Sequence, residues 1–227
     1  MIVALDGPAG AGKSTVAKMV AERLGFQLVE TGALYRAVGL LARERGVALH
    51  DASALASIAD SLALRFEHRN GMNAVYVGER EVTEALRTEQ AGADASIVSA
   101  LPEVRAALLD LQRTLAAACD SVLEGRDIGT VVCPDAALKF YITASPEVRA
   151  KRRVQELHAK GVEADYSDVL SDIIARDDRD MNRAIAPLRP AEDATYIDSS
   201  AQPIEVVYAQ VEAKVLALRS AGDPEER

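Results

Sequence analysis

Gly7-Pro8-Ala9-Gly10-Ala11-Gly12-Lys13-Ser14 sets two glycines, a lysine and a hydroxyl at the spacing G-x-x-x-x-G-K-[ST]. Glycines let the backbone wind until successive N–H groups point inward, and a helix opening at Lys13 adds its positive end, so the run is a nest for phosphate oxygens. The Lys13 ammonium can reach β- and γ-phosphates, and the Ser14 hydroxyl can take one place on Mg²⁺. Thr15 adds a further phosphate contact. A nucleoside triphosphate of the ATP type, held by Gly7, Pro8, Ala9, Gly10, Ala11, Gly12, Lys13, Ser14 and Thr15, is therefore expected.

Triphosphate binding leaves several classes open, and the remaining residues narrow them. None of the six lysines is followed two places later by Asp, so the Asn/Thr-Lys-x-Asp guanine reader of a GTPase switch is missing, and no L-S-G-G signature marks a transporter-type ATPase. Net charge is −9, from 26 basic and 35 acidic residues. That balance argues against broad contact with nucleic acid or an anionic membrane. The basic residues divide as 20 Arg to 6 Lys, and clustered guanidinium forks in an acidic chain point to a small anionic ligand. An enzyme that moves a phosphoryl group needs such forks, because they exclude water on closure and offset charge on the equatorial oxygens.

These groups need a scaffold. At roughly 150 residues per domain, 227 residues suit one large domain with insertions or two small ones. A content of 49% hydrophobic and 27% charged residues excludes wholesale disorder, collagen and coiled coil. Residues 2–5 read as a strand, 13–24 as a helix, 27–29 as a strand, and 33–45 as a helix closed by Gly46. Asp51 caps a helix to about 62. Residues 63–67 and 74–77 read as a hairpin around Asn70-Gly71, with 79–82 as a third strand. Helices are expected over 84–100 and 102–118, strands over 121–123 and 138–142, and a helix opened by Ser145-Pro146. From 148 to 189 the chain is mostly charged, with Gly161 between two helical stretches, which suits a mobile lid. A strand at 195–197, a helix at 204–218 and a frayed tail at 220–227 complete the reading. Alternating strands and helices imply an α/β fold, a parallel sheet covered on both faces with ligand at the carboxyl ends of its strands.

Three further runs carry a resemblance: Glu30-Thr31-Gly32-Ala33-Leu34-Tyr35-Arg36, Glu124-Gly125-Arg126-Asp127-Ile128-Gly129-Thr130-Val131-Val132, and Arg176-Asp177-Asp178-Arg179-Asp180-Met181-Asn182-Arg183. With Arg87-Thr88, Ala95-Ser96 and Pro102-Glu103-Val104-Arg105 they make the chain, over nearly its whole length, resemble the bacterial cytidylate kinases of the nucleoside monophosphate kinase superfamily. The resemblance implies transfer of the ATP γ-phosphate to CMP or dCMP with Mg²⁺. It implies a three-layer P-loop kinase core over 1–227, a β-containing monophosphate-binding insert at about 31–102 and a short helical lid at about 149–178.

On the matching positions, Thr31, Arg36 and Arg126 would hold the acceptor's 5′-phosphate, Ser96, Arg105 and Asp127 would face the cytosine edge, and Asp180 and Arg183 the sugar. Arg176 would touch sugar or phosphate. Arg152 and Arg153 match the basic pair of the lid, and which of them reaches the moving phosphoryl stays open. Tyr35 reads first as packing, with contact to the acceptor as the alternative. Lys13, Arg126, Arg152, Arg153 and Arg176 form the expected catalytic set, and Ser14 the expected metal contact. Ser14 stands where some relatives carry Gly, and Thr31 where others carry Ser, so hydroxyls are kept or gained.

Cytosine presents an amino donor at N4 and acceptors at N3 and O2, so its reader needs a carboxylate beside a strong donor. Asp127 and Arg105 have that chemistry. Uracil would turn O4 toward the carboxylate and leave a buried acceptor unpaired, at about 1–3 kcal/mol or more. No general base is needed, because a phosphate monoester is already ionised at neutral pH. His50, His68 and His158 lie in polar surroundings without partners at ligand spacing, and Cys119 and Cys133 make no C-x-x-C. No apolar run approaches the ~18–20 residues of a membrane span and no leader precedes residue 2, so a cytoplasmic protein is expected, and with no extended apolar seam visible a monomer is expected. The rivals are a kinase of another small acceptor, such as UMP or shikimate, and an ATP-sensing module without transfer activity.

Overall fold

In the computed structural model, which describes residues 1–69 and 72–222, five strands form one parallel sheet. They are β1 (Ile2–Asp6), β2 (Gln27–Glu30), β6 (Ser121–Gly125), β7 (Leu138–Thr143) and β8 (Thr195–Asp198), ordered β2-β6-β1-β7-β8. β1 is central, and its Val3, Ala4 and Leu5 are fully buried, as expected for a parallel strand covered on both faces. Pleating sends Val3 and Leu5 to one side, where they meet Val16, Val20, Phe140 and Val211 from α1 (Lys13–Leu24), β7 and α9 (Ile204–Gly222). Ala4 faces the other side with Leu123, Ile128 and Ala116. The register Asp6↔Gly125 and Asp6↔Tyr141 aligns the carboxyl ends of three strands around the glycine-rich loop.

A second core lies between β2 and β6 in sequence. Here α2 (Thr31–Glu44), α3 (Ala52–Asp60), the antiparallel sheet β3 (Leu64–Arg69), β4 (Met72–Val77) and β5 (Arg80–Glu81), then α4 (Thr83–Leu86), α5 (Glu89–Val98) and α6 (Pro102–Ala117), bury Leu34, Val38, Leu55, Val75, Val98 and Leu108 together. The Asn70-Gly71 turn expected for the β3–β4 hairpin lies outside the described residues. The residues expected to form a lid lie in α7 (Pro146–Ala159) and α8 (Tyr166–Asn182), joined through Gly161 at φ 74°.

Several boundaries differ from the sequence reading, each for a physical reason. α2 starts at Thr31 rather than residue 33, with the Thr31 hydroxyl donating to the Glu124 carbonyl at 2.8 Å. The helix expected over 84–100 is broken into α4 and α5 because the Thr88 hydroxyl accepts from the Ala91 N–H at 3.1 Å and caps a new helix. Residues 128–132, to which the sequence reading assigned no element, form one π-helical turn. The α9 helix continues to Gly222, past residue 220 where a tail was expected to begin, and 223–227 lie outside the described residues. No helix among the described residues is long and apolar enough to cross a membrane.

Candidate active site

The loop after β1 passes through Gly7, Gly10 and Gly12 at φ 141°, 76° and 93°. At Gly7 the backbone lies so close to β7 that a Cβ would sit 1.9 Å from the Ile142 carbonyl oxygen. This glycine therefore serves close approach to the sheet, while Gly12 ends the loop in the left-handed conformation that launches α1. Lys13 is buried and its Nζ donates to the Pro8 carbonyl at 2.6 Å. Burial, reinforced by the neighbouring Arg126 guanidinium, pulls its ammonium down to about 7.

Two carboxylates absent from the expected set complete this end of the sheet. Glu124, the penultimate residue of β6, accepts a hydrogen bond from Ser14 Oγ at 2.6 Å. Asp6, the last residue of β1, accepts from the N–H groups of Ile128 and Gly129 at 2.8 and 2.7 Å, which holds the π turn against the loop. Burial pushes the Asp6 carboxyl up to about 6, although those two N–H groups oppose the shift. Glu30, level with Glu124 on β2, is also raised by burial and by Glu124 itself. A carboxylate closing a strand beside a phosphate loop is a signal the sequence did contain.

A cleft of about 1550 Å³ opens over the loop, with Gly10, Lys13, Ser14, Arg36, Ser96 and Arg176 in its walls. Positive charge converges there. Arg126 and Arg176 both act on Lys13, and burial followed by Arg126 pulls the Arg176 guanidinium down to about 10. Arg176 Nε and Ser96 Oγ are buried without hydrogen-bond partners. Arg36 donates to the Leu86 carbonyl at 2.8 Å, and burial lowers its pKa. Like charges in a poorly solvated recess repel one another and attract a polyanion, the arrangement that phosphate groups favour.

Arg126 leads to the second half of the site. Its Nε donates to Asp180 Oδ2 at 3.0 Å. The next residue, Asp127, is gripped from two sides, by Arg105 Nη2 on Oδ2 and by Arg183 Nη2 on Oδ1 at 3.3 Å. All three side chains are buried, at 7%, 7% and 5% exposure. Arg105 also donates to the Ser99 carbonyl, and its guanidinium carbon lies 5.5 Å from the centre of the Tyr35 ring, so Tyr35 packs against this cluster. Arg183 Nε donates to the Ala186 carbonyl at 2.6 Å.

The expected residues thus fall into connected groups: the loop with Lys13, Ser14 and Thr15; Arg126 and Arg176 around Lys13, with Arg36 beside these two arginines; and Arg105, Asp127, Asp180 and Arg183. Arg152 and Arg153 line the same cleft but are otherwise engaged. Arg152 donates to Ser199 Oγ and O at 3.1 and 2.7 Å, and Arg153 donates to Glu89 at 2.7 Å and Glu156 at 3.2 Å. Arg149, which no sequence pattern singled out, and Asp177, which lies in the third motif run but had no role assigned, form a buried pair next to the loop. His50, His68 and His158 are exposed.

For Mg²⁺ the donor set is a hydroxyl and a carboxylate, both hard oxygens, on Ser14 and Glu124. The described residues contain no cluster of three or more His, Cys, Asp or Glu side chains able to hold a metal alone. A hydroxyl and a carboxylate suit an ion that takes one or two oxygens from the protein.

Residues 3–216 match the cytidylate kinase family. A cytidylate kinase of Exiguobacterium sp. is 47% identical over 210 residues, covering 92% of this chain and 94% of the relative. One from Pseudomonas paraeruginosa is 49% identical over 209 residues, covering 91% of each. One from Saccharophagus degradans is 45% identical over 212 residues, covering 93% of this chain and 95% of the relative.

Proposed function

The chain belongs to the cytidylate kinase family, and from that membership we propose that it transfers the γ-phosphate of ATP to CMP or dCMP, giving ADP and CDP or dCDP. One observation carries the assignment of roles. Asp127, held between two buried guanidinium groups, stands one residue from Arg126, which itself bears on Lys13. A reader for a donor-bearing base edge is thereby joined to a cradle for phosphate.

The loop amides, Lys13 and Thr15 hold the β- and γ-phosphates of ATP. Thr31, Arg36 and Arg126 take the acceptor's 5′-phosphate, where a planar fork suits a dianion better than an ammonium does. Asp127 accepts from the cytosine amino group, Arg105 and Ser96 serve its remaining edge, and Asp180 and Arg183 meet the sugar. An ionised oxygen of the acceptor attacks the γ-phosphorus as the bond to the ADP oxygen breaks, so alignment and charge compensation supply the catalysis. Lys13, Arg126 and Arg176 face the charge spread over the equatorial oxygens. Mg²⁺ would be held by Ser14 and Glu124 and, when bound, neutralises β- and γ-phosphate oxygens. The insert at about 31–102 and the lid at about 149–178 close over both nucleotides and exclude water. One of Arg152 and Arg153 reaches the moving phosphoryl, Arg152 by leaving Ser199 or Arg153 by leaving Glu89 and Glu156.

An acceptor panel read by ADP release tests this. Rapid turnover is expected with CMP and dCMP, much slower turnover with UMP and none with shikimate. Equal rates with UMP would sink the base-edge assignment, and ADP release that no acceptor stimulates would favour an ATP-sensing module.

A further inference from the structure

Arg149 on α7 is the bulkiest fully buried side chain among the described residues, at 2% exposure. Its Nε donates to the Ala144 carbonyl at 2.8 Å, Nη1 donates to the phosphate-loop carbonyl of Ala9 at 3.2 Å, and Nη1 and Nη2 grip the two oxygens of Asp177 on α8. A Cβ at Gly10 would stand 3.3 Å from Arg149 Cβ, so α7 is seated directly on the loop.

A buried ion pair is a weak source of stability, since desolvation of both charges offsets their attraction and an apolar pair of similar volume does as well or better. The geometry indicates what this pair does instead. The only fully buried residues of α8 are Asp177 and Asp180, while its apolar Val169, Leu170 and Ile173, one to two turns earlier, are half-buried. The phase of its last two turns is held by two carboxylates three positions apart, one on Arg149 and the other on Arg126. Arg176, beside Asp177, is carried into the cleft by that same phase.

We propose that Arg149 and Asp177 are a positioning pair that ties the phosphate loop, through the Ala9 carbonyl, to the rotational setting of α8, and so aligns Arg176 and the Asp180–Arg126 contact with the donor phosphates. Neither residue need touch a nucleotide. The proposal rests on the phosphoryl-transfer reading above, and it assigns a role to residues outside the expected site.

The test uses the full chain with three variants: Arg149→Lys, which keeps the charge but loses the fork, Asp177→Asn, and the double variant Arg149→Met/Asp177→Leu, which refills the space without charge. Rates with CMP are measured per folded molecule alongside thermal unfolding and calorimetric ATP affinity. Misalignment of about 1 Å can cost ~10²-fold, so kcat is expected to fall about 100-fold in the double variant, and at least 10-fold in each single variant. ATP affinity should stay within about threefold. The double variant is expected to unfold no earlier than the parent, which separates slow chemistry from lost folding. A folded double variant whose kcat lies within threefold of the parent overturns the proposal, as does a rate loss that only tracks the unfolded fraction. CMP turnover by the parent chain is the arm that tests the phosphoryl-transfer reading, so the two failures are told apart.

Discussion

Ser14 and Glu124, 110 residues apart, share a hydrogen bond of 2.6 Å from hydroxyl to carboxylate. The bond ties the first turn of the helix after the phosphate loop to the end of the neighbouring strand, and it sets side by side the two hard oxygens proposed to hold Mg²⁺.

Glu124→Gln keeps the shape and the hydrogen bond but removes the charge. The Mg²⁺ concentration for half-maximal rate should rise about 10-fold or more, with KM for CMP changed little. A magnesium titration at saturating ATP and CMP measures this, and an unmoved midpoint would show that Glu124 only orients Ser14.

Burial and the Arg126 guanidinium pull the Lys13 ammonium down to about 7, so at pH 8 the neutral form prevails until phosphate is bound. Phosphate favours the charged form, and ATP binding at pH 8 should therefore take up protons, approaching one per site. Calorimetry in buffers of different ionisation enthalpy reads that number directly. Lys13→Ala should abolish the uptake and most of kcat without unfolding the chain, because the hydrogen bond its ammonium gives up is one to the loop carbonyl of Pro8.

The same two shifts shape stability. The Asp6 carboxyl moves from 3.8 to about 6, so between those values the folded chain holds more protons and stability falls as pH rises. Lys13 moves from 10.5 to about 7, so across that window the unfolded chain holds more protons and stability rises with pH. Denaturant unfolding from pH 5 to 9 should show Lys13→Met losing the rise above pH 7, and Asp6→Asn losing the fall below 6. Parallel curves for parent and variants would contradict both shifts.

Asp127→Asn leaves Arg105 and Arg183 buried without a counter-charge and offers cytosine an amide in place of a carboxylate. kcat/KM for CMP should fall by at least about 100-fold, and the preference for CMP over UMP should shrink, because the amide can donate to O4. Removing one partner of such a buried pair costs about 3–5 kcal/mol in stability. Rates on both acceptors and an unfolding curve provide the check, and an unchanged CMP-to-UMP ratio would make Asp127 a structural residue alone.

Asp180→Ala removes an acceptor with 6% exposure that also holds Arg126. If its carboxylate meets the 2′-hydroxyl, CMP should lose roughly 10- to 100-fold in kcat/KM, the worth of a hydrogen bond to a charged group, and dCMP clearly less. Equal losses would mean that Asp180 acts only through Arg126.

Much of this was legible along the chain. The winding of Gly7 to Gly12 is set within eight residues, because positive φ and a following helix are local properties, and the expected strands of the parallel sheet were found where apolar runs were short and bounded by turns. Arg105, Asp127, Asp180 and Arg183 were visible as motif residues. Their mutual grip was not, since it spans 22 residues from Arg105 to Asp127 and 56 from Asp127 to Arg183. Arg149 looked like one more charge on a polar helix, and its burial follows only once α7 is seated on the loop and α8 brings Asp177 within reach. The π turn after Asp127 likewise depends on a carboxylate 122 positions earlier. Local backbone preference and hydrophobic period act over a few residues, so a single chain displays them. Which charges meet depends on strand order and helix phase, and these exist only after the layers have packed.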